Sequence, residues 1–498
     1  MPKILLVGID GLDWSLLKSM MSELPAINSI AQSGFADEMP SIFPPDSIPS
    51  WISIFTGMDP SEHGILDSVD YFKKSCQDFS VDTSAFRGKT FWDIAGSKGK
   101  RVIVVNPFMA YPPWPVNGIM SSGPVFLTGE TKTFSDSNLT IDVPPLGGIV
   151  GFPKKRELVD FYENTKSETS SIVEYTCNLM QNSEWDLTFL TLLTVDRICH
   201  FYWRYYDKYD PTYPGPSKLS AVVPDFLRFI DSCVKKLVDS AGKDTIVMLV
   251  SDHGHAMRPP YFFNLNQLLM ESGYLISKAK KHSIPGPRLF IEKAKDFALE
   301  TLHRFDLEDF SYAIAKLFPF TRSIKSSDFM TNPDLNIATA SSFGGSNSFG
   351  GISVSKEACL REGLDYEFVR SNIIKLLLSI IDDNGALYFE WAKRREDIYN
   401  GNMIHKYPDI LYMLREELGT NWSLHLPLVT INPRHNKISG GHRTSSVVVA
   451  GPLDNYKCIP NNISSINICS TILFLLGCNL QHSTSCSFIK HSHTMSSE

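Results

Sequence analysis

Short apolar runs alternate along the chain with segments of helical periodicity, and this alternation is its main structural signal. The apolar runs are Ile4 to Gly8, Val102 to Val105, Leu187 to Leu193, Thr245 to Val250 and Val447 to Ala450. Short apolar runs that alternate with helical segments are typical of a parallel α/β sheet. The pattern therefore predicts an α/β fold in which helices cover a mostly parallel central sheet.

Polar residues follow several of these predicted strands directly. Asp10 comes after the first strand, Asp196 after the third, and Ser251-Asp252-His253 after the fourth. In open α/β sheets, ligands bind beyond the carboxyl ends of the strands. These residues are therefore site candidates before any motif is considered.

The pattern changes in the middle of the chain. A turn at Pro285-Gly286-Pro287 leads into a charged helical pattern over about 290–318, and a Gly/Ser-rich segment follows. The strand-and-helix pattern resumes near Leu426 and ends with a predicted helix from Ile466 to Leu476, which Gly477 stops. We expect a catalytic core in two parts, an inserted substrate-selecting cap and a disordered tail, with the limits 1–266 and 425–481 for the core, 267–424 for the cap and 482–498 for the tail.

Composition and charge narrow the class of protein. The chain has 498 residues and a formal net charge of -7, whereas binding a nucleic-acid polymer calls for a basic balance. No apolar stretch reaches the roughly 18 residues of a spanning helix, and the N-terminal apolar run is too short for a signal peptide. The nine cysteines form no CxxC pair, as expected of reduced thiols. We therefore expect a cytoplasmic protein without a membrane segment, while its oligomeric state stays open.

Four short segments, far apart in sequence, hold an unusual set of aspartates and histidines. They are Gly8-Ile9-Asp10-Gly11, Asp196 to His200, Ser251-Asp252-His253-Gly254 and Gly440-Gly441-His442-Arg443. Carboxylates and neutral imidazoles are the ligands that suit zinc and similar divalent ions. With a bridging serine, this set would fill two neighbouring sites, and two metals about 4 Å apart can clamp the oxygens of a phosphoryl displacement.

Each segment also has a simpler explanation when it is taken alone. Asp10 could cap a helix, Asp196 and His200 could be a helix-surface pair, and His442 by itself says little. The segment Asp252-His253-Gly254 is more telling, because two coordinating side chains in a turn are a poor way to build a core. Their joint placement at strand ends and glycine turns favours the metal site.

A fifth segment, Phe43 to Gly57, contains a candidate nucleophile. Pro49 suits the first position of a helix that ends near Gly57, which would leave Ser47 just before the helix start. A phosphate held there meets free backbone N–H groups and the positive end of the helix dipole. A serine must be activated by a base or a metal, and no Gly-x-Ser-x-Gly pattern surrounds Ser47, so a metal is the economical choice. The alternative is that Ser47 only caps the helix.

Taken together, these motifs give the chain a clear family likeness. It resembles the type I phosphodiesterase/nucleotide pyrophosphatase family of the alkaline phosphatase superfamily, in its soluble prokaryotic-type branch. The matching segments are Gly8 to Gly11, Ser47 to Trp51 with Phe55-Thr56-Gly57, Glu62 to Ile65, Asp196 with His200, Ser251 to Gly254 and Gly441 to Arg443. The resemblance implies an alkaline phosphatase-like three-layer sandwich, with a mostly parallel central sheet and an inserted cap.

The resemblance also implies two metal-ligand sets and a role for the serine. One set is Asp196, His200 and His442; the other is Asp10, Asp252, His253 and the oxygen of Ser47. The family usually binds two zinc ions, with manganese or iron in some members. By the same resemblance, Ser47 attacks phosphorus and forms a phosphoserine-type intermediate that hydrolysis releases. Ser50 and Arg443 are candidate substrate-binding residues; the alternative for Arg443 is that it is an exposed structural arginine.

Two departures from the family pattern bear on the substrate. The nucleotide-cleaving members carry Thr where this chain has Ser47, and an Asn that contacts phosphate has no clear counterpart here. Serine serves equally well as a nucleophile, but the missing amide weakens the inference of a nucleotide substrate. We expect hydrolysis of a phosphodiester or pyrophosphate bond in a phosphorylated small molecule.

Three other functions compete with this expectation. A phosphomonoesterase or phosphomutase would use the same phosphoserine. A sulfatase needs a Cys/Ser-x-Pro-x-Arg signature, and Trp51 stands here where the arginine is required. A catalytically inactive binding protein would not need the complete set of candidate ligands.

Overall fold

The computed structural model describes most of the chain. The described residues are 2–66, 83–125, 129–137, 142–148, 153–276, 336–341, 343, 347–433, 435–478 and 487–492. The predicted helical pattern over 290–318 lies outside these residues.

Helices and strands alternate through the first half of the chain, as the apolar pattern predicts. The strands are β1 (Lys3–Ile9), β2 (Phe35–Pro40), β3 (Val102–Val105), β4 (Gly118–Ser122), β5 (Lys132–Ser135), β6 (Leu187–Leu192), β7 (Thr245–Val250), β8 (Gly254–Met257), β9 (Tyr261–Asn264), β10 (Ala338–Ala340), β11 (Phe349–Val354), β12 (Phe389–Arg394), β13 (Ile410–Leu414), β14 (Leu418–Asn421), β15 (Val429–Ile431), β16 (Gly440–Arg443), β17 (Ser445–Gly451), β18 (Tyr456–Cys458) and β19 (Ile489–His491). The α-helices are α1 (Trp14–Met20), α2 (Pro25–Gln32), α3 (Ser47–Thr56), α4 (Pro60–His63), α5 (Phe91–Ser97), α6 (Leu158–Asn182), α7 (Thr194–Tyr206), α8 (Val222–Ala241), α9 (Leu265–Glu271), α10 (Lys356–Arg361), α11 (Tyr366–Leu377) and α12 (Asn467–Leu475).

Eight strands form the central sheet, in the order β2-β17-β7-β1-β6-β3-β4-β5. The five strands from β7 to β4 run parallel, whereas β17, β2 and β5 are antiparallel to their neighbours. All five apolar runs of the sequence lie in this sheet. The prediction of a mostly parallel central sheet is therefore confirmed.

Helices cover both faces of the sheet, because its strands are apolar on both sides. In β1, Leu5, Val7 and Ile9 pack into one hydrophobic cluster, with side chains of α1, α2, α6, α7 and α8. Ile4 and Leu6 point to the other face, into a cluster with α3, α5 and α12. This period of two makes a three-layer arrangement with the sheet in the middle.

A separate hydrophobic cluster lies mostly in the part of the chain predicted as a cap, and it also includes Phe263 and Leu265, which precede the predicted limit of 267. It joins apolar side chains from Phe263 to Leu424, which come from the antiparallel sheet β10-β11-β13-β12, from α9 and α11, and from the three-stranded sheet β14-β9-β15. The limits 267 and 424 stay a prediction. This cluster gives the predicted cap its own apolar interior.

The C-terminal part of the chain matches the prediction in one respect and departs from it in another. Helix α12 lies within one residue of the predicted bounds at each end, and Gly477 follows it with a positive φ of 70°. The expectation of disorder after residue 482 is wrong for the described residues 487–492, because β19 pairs with β18. Phe488 and Ile489 are fully buried there, so these apolar side chains account for the ordered strand. The remainder of the tail lies outside the described residues.

Every helix within the described ranges is too short or too polar to cross a lipid bilayer.

Candidate active site

The predicted ligands converge at one edge of the central sheet, because parallel strands end there together. Asp10 follows β1, Asp196 lies in the first turn of α7 after β6, and Asp252 and His253 follow β7. His442 precedes β17, and this antiparallel strand begins at the edge where its parallel neighbours end. The topology thus brings together residues that are more than 400 positions apart in sequence.

Ser47 lies at this edge as the first residue of α3, and not before the helix as predicted. Asp46 is the N-cap, and its carboxylate accepts the Ile48 N–H at 3.2 Å. Pro49 is the third residue of α3, where proline is tolerated because the first-turn N–H groups of a helix have no intrahelical partner. Because Asp46 fills the capping role, the alternative that Ser47 only caps α3 loses its support.

The Ser47 hydroxyl faces the buried set of Asp10, Asp252 and His253. Ser47 Oγ lies 3.0 Å from His253 Nε2 and 3.5 Å from Asp10 Oδ1. His253 Nε2 is 3.4 Å from Asp252 Oδ2 and 3.7 Å from Asp10 Oδ1. The ligand atoms of the three buried residues lie within 4.8 Å of one another, so they could share one ion with Ser47.

Asp10 is held in place by an indole from the nucleophile helix. Trp51 Nε1 donates to Asp10 Oδ2 at 2.9 Å, and the Trp51 side chain is fully buried. A Cβ on Gly8 would lie 2.5 Å from the indole ring, so glycine at this position is what lets Trp51 approach β1. Trp51 stands at the sequence position where a sulfatase signature requires arginine, and its indole orients the candidate ligand Asp10.

The second predicted set is also assembled. Asp196 Oδ1 lies 3.3 Å from His200 Nε2 and 3.5 Å from His442 Nε2, and the two imidazole nitrogens are 3.2 Å apart. Gly11 allows Asp196 to lie this close to β1, because a Cβ at position 11 would lie 2.9 Å from the Asp196 Cα. Its φ of +73° is also one that side chains rarely adopt. Asp196 and His200 are thus more than a helix-surface pair, since both contact a third ligand candidate from β16.

Backbone carbonyls orient three of the imidazoles. His200 Nδ1 bonds the Gly440 oxygen at 2.8 Å, and His253 Nδ1 bonds the Gly254 oxygen at 3.0 Å. His442 Nδ1 is 3.2 Å from the Pro45 oxygen. A ring that donates its Nδ1–H to a carbonyl keeps the Nε2 lone pair free for a metal.

The buried polar atoms of the site fit divalent metal ions. Within the described part of the chain, Asp196 Oδ1 and Asp252 Oδ2 are buried and have no hydrogen-bond partner. An unsatisfied buried carboxylate oxygen is costly, and a coordinated cation removes that cost. The donor set of carboxylates and imidazoles is the one that zinc-like ions use.

The charges of the carboxylates lead to the same conclusion. Burial, together with the neighbouring carboxylate of Asp196, raises the pKa of both Asp10 and Asp252 well above the usual range. Burial also raises the pKa of Asp196, but His200 and His442 outweigh it and hold that pKa well below the usual range. Burial lowers the pKa of His442 to about 4. Neutral imidazoles and crowded carboxylates form a pocket that favours positive charge.

Ser50 and Arg443, the predicted substrate-binding residues, have partners within the protein. Ser50 is fully buried, and its hydroxyl is 3.3 Å from that of Ser41. The Arg443 guanidinium donates to the oxygens of His442 at 3.1 Å and Met257 at 2.7 Å. No contact in the structure tests their proposed role toward substrate, which stays a prediction.

His255 joins the site although the sequence motifs do not include it. Its Nδ1 lies 3.4 Å from Asp196 Oδ1, and its side chain is fully buried. The motif in the sequence ends at Gly254, one residue earlier. The pairing of β8 with β16 sets His255 opposite His442, and this register could not be read from the motif alone.

Aromatic side chains from the predicted cap hold the segment that precedes Ser47. The Tyr399 hydroxyl donates to the Phe43 oxygen at 2.7 Å and accepts the Phe43 N–H at 2.9 Å. The Phe43 ring also packs on Trp391, with ring centroids 5.1 Å apart. The predicted cap therefore contacts the nucleophile segment directly.

Comparison with known proteins identifies the family of the chain. A family model described as type I phosphodiesterase / nucleotide pyrophosphatase matches residues 4–314. Ectonucleotide pyrophosphatase/phosphodiesterase family member 1 from Homo sapiens is 29% identical over 105 residues, which are 20% of this chain and 11% of that protein. The Rattus norvegicus protein of the same name is 25% identical over 265 residues, which are 51% of this chain and 24% of that protein. The chain thus matches at most 24% of the length of these relatives.

Solved structures resemble the whole chain in fold. The crystal structure of phosphonoacetate hydrolase from Sinorhizobium meliloti 1021 with phosphonoacetate matches with a TM-score of 0.52 and 14% identity, over 96% of both chains. The same enzyme with phosphonoformate matches with a TM-score of 0.50. At this identity the likeness shows an alkaline phosphatase-like α/β fold. The family match covers more than half of the chain, so this protein belongs to the type I phosphodiesterase/nucleotide pyrophosphatase family.

Proposed function

We propose that this protein is a metal-dependent hydrolase that cleaves a phosphodiester or pyrophosphate bond through a covalent intermediate on Ser47. The observation that carries the proposal is the position of Ser47 Oγ, 3.0 Å from His253 Nε2 and 3.5 Å from Asp10 Oδ1. A serine that only stabilised α3 would have no reason to face two candidate metal ligands.

The ligand sets suggest where the ions bind. Asp10, Asp252, His253 and Ser47 would hold one ion, and Asp196, His200 and His442 the other, with zinc as the first candidate and manganese or iron as alternatives. When bound, such ions lower the pKa of a coordinated hydroxyl and neutralise charge on the phosphoryl oxygens.

The residues of the chain account for the covalent chemistry. Asp10 and His253 hold Ser47 Oγ in place, and Trp51 keeps Asp10 oriented. The bond from Oγ to phosphorus forms as the bond from phosphorus to the leaving-group oxygen breaks, and the hydroxyl proton passes through solvent to the departing oxygen. Water then cleaves the Oγ–phosphorus bond and restores the Ser47 hydroxyl.

Removal of metal is expected to abolish hydrolysis, because both ligand sets would then be empty. Dialysis against EDTA should reduce turnover of bis-(p-nitrophenyl) phosphate to background, and zinc should restore it. Elemental analysis should find about two ions per chain in the active protein. Full activity in metal-free protein would contradict the proposal.

Diesters are expected to be hydrolysed faster than monoesters. The sequence has no arginine between Gly34 and Phe86, the region that contains Ser47. The carboxylate next to Ser47 in the chain, that of Asp46, adds negative charge at the site, where its Oδ2 is 3.8 Å from His442 Nδ1. A phosphate monoester carries an extra negative charge, which enzymes usually neutralise with a guanidinium.

A substrate panel tests this preference. It compares bis-(p-nitrophenyl) phosphate, the thymidine monophosphate nitrophenyl ester, p-nitrophenyl phosphate, p-nitrophenyl sulfate and phosphonoacetate by kcat/KM. The two diesters should lead. A higher kcat/KM for the monoester would favour a phosphomonoesterase or phosphomutase, and turnover of the sulfate alone would favour a sulfatase.

A further inference from the structure

His255 stands where a strand pair directs it into the proposed metal centre. It is the second residue of β8, and the antiparallel register places it opposite His442 of β16. Directly opposed residues of two antiparallel strands point to the same face. Because His442 belongs to the predicted ligand set, this register aims the His255 imidazole at the same centre.

The ligand atoms of His255 lie between the two predicted sets. His255 Nδ1 is 3.4 Å from Asp196 Oδ1, and Asp196, His253 and His255 offer ligand atoms within 4.8 Å of one another. The His255 ring centroid is also 4.6 Å from that of His200. His255 thus lies close to Asp196, which belongs to one set, and to His253, which belongs to the other.

The imidazole of His255 lacks the hydrogen bonds that its neighbours make. Among the described residues neither ring nitrogen has a hydrogen-bond partner, although the side chain is fully buried. The other three histidines each place Nδ1 against a backbone carbonyl. Leaving a buried polar group unsatisfied is costly, so an unsatisfied imidazole beside a carboxylate points to a further partner such as a metal ion.

The chain also makes room for this ring. A Cβ on Gly440 would lie only 2.6 Å from His255 Nε2, so a side chain at that position would displace the imidazole. The backbone of His255 is fixed as well, since the Asp13 carboxylate accepts a hydrogen bond from it. The ring is therefore held in place in a space kept free for it.

We propose that His255 is a further metal ligand of this centre, which coordinates through Nδ1 next to Asp196. The inference rests on the metal dependence in the proposed function. It adds a fourth imidazole to the three histidines that the family resemblance implies as ligands. Imidazole suits zinc, copper, iron and nickel, whereas carboxylate-rich sites suit magnesium and manganese. His255 would thus bias the centre toward zinc and against manganese.

Metal affinities of a His255→Asn variant test the proposal. Asparagine retains a polar group near Nδ1 but is a poor zinc ligand. Competition with a chromophoric chelator should show at least about a tenfold loss of zinc affinity for one ion, and a smaller loss for manganese. His405→Asn, at an exposed histidine outside both sets, should keep the affinities of the wild type. Unchanged zinc and manganese affinities in His255→Asn would overturn the proposal.

The cobalt-loaded wild type gives a second measurement that does not depend on a variant. Its NMR spectrum should contain four paramagnetically shifted imidazole N–H signals, one for each coordinated histidine. Three signals would mean that His255 pairs with a buried water or another group, and would refute its role as a ligand. Neither measurement uses a substrate, so four signals in a protein without phosphodiesterase activity would reject the proposed reaction and keep the ligand.

Discussion

Ser47→Ala is expected to lower kcat for the best diester by at least about 10³-fold while the metal content stays near that of the wild type. The Ser47 oxygen would supply all of the covalent chemistry but only one ligand of one ion. Asp10, Asp252 and His253 remain in the variant, and their ligand atoms lie within 4.8 Å of one another. Steady-state kinetics and elemental analysis of the same preparation measure both quantities.

Ser50→Ala is the matched comparison, because Ser50 lies one turn along the same helix and is fully buried. It loses one contact, with the Ser41 hydroxyl at 3.3 Å, so its rate should fall by about tenfold or less. If Ser50→Ala were inactive and Ser47→Ala remained active, the nucleophile would be misassigned. Mass spectrometry of a trapped phosphopeptide identifies the modified serine directly.

The fold was predictable because its central strands have an unambiguous pattern. Val102–Val105 and Thr245–Val250 are buried at every position, so their sequences are apolar without alternation. Asp10 and Asp252 end up close together because they follow parallel strands, β1 and β7, which pair directly. Local sequence therefore identified five of the eight strands of the central sheet, and the rule for carboxyl ends of parallel strands located most of the site.

Three features of the site depend on contacts that the sequence motifs did not identify. The start of α3 depends on Asp46 accepting the Ile48 N–H, whereas proline is compatible with several positions of a first turn. His255 required the register between β8 and β16. The bond between Tyr399 and Phe43 joins residues 356 positions apart, and no sequence period predicts such a contact. His255 and Tyr399 thus depend on partners on other elements, whereas the cap of α3 is a local choice between neighbouring residues that the position of Pro49 does not decide.

Asp252→Asn is expected to remove metal and activity together, and to do so without unfolding the protein. Asp252 Oδ1 accepts the Gly11 N–H at 3.2 Å, and an asparagine oxygen can keep that bond. Oδ2, which is 3.4 Å from His253 Nε2, would become an NH₂ group that cannot coordinate a metal. The variant should lose about one ion per chain and at least about 10²-fold in kcat/KM.

The substitution Asp252→Asn should affect the Tm of the metal-free protein and the increase in Tm on adding zinc differently. Metal-free wild type buries the Asp252 carboxylate near Asp10 and Asp196, and this burial and repulsion disfavour its charged form. Asparagine relieves that cost, so the metal-free Tm should stay equal or rise, while the increase in Tm on adding zinc should shrink. Asp231→Asn is the matched control, because Asp231 is a buried carboxylate of α8 outside the ligand sets that accepts the Ala26 and Ile27 N–H groups, and its replacement should leave the zinc response unchanged. A full zinc-induced increase in Asp252→Asn would show that Asp252 does not bind the ion.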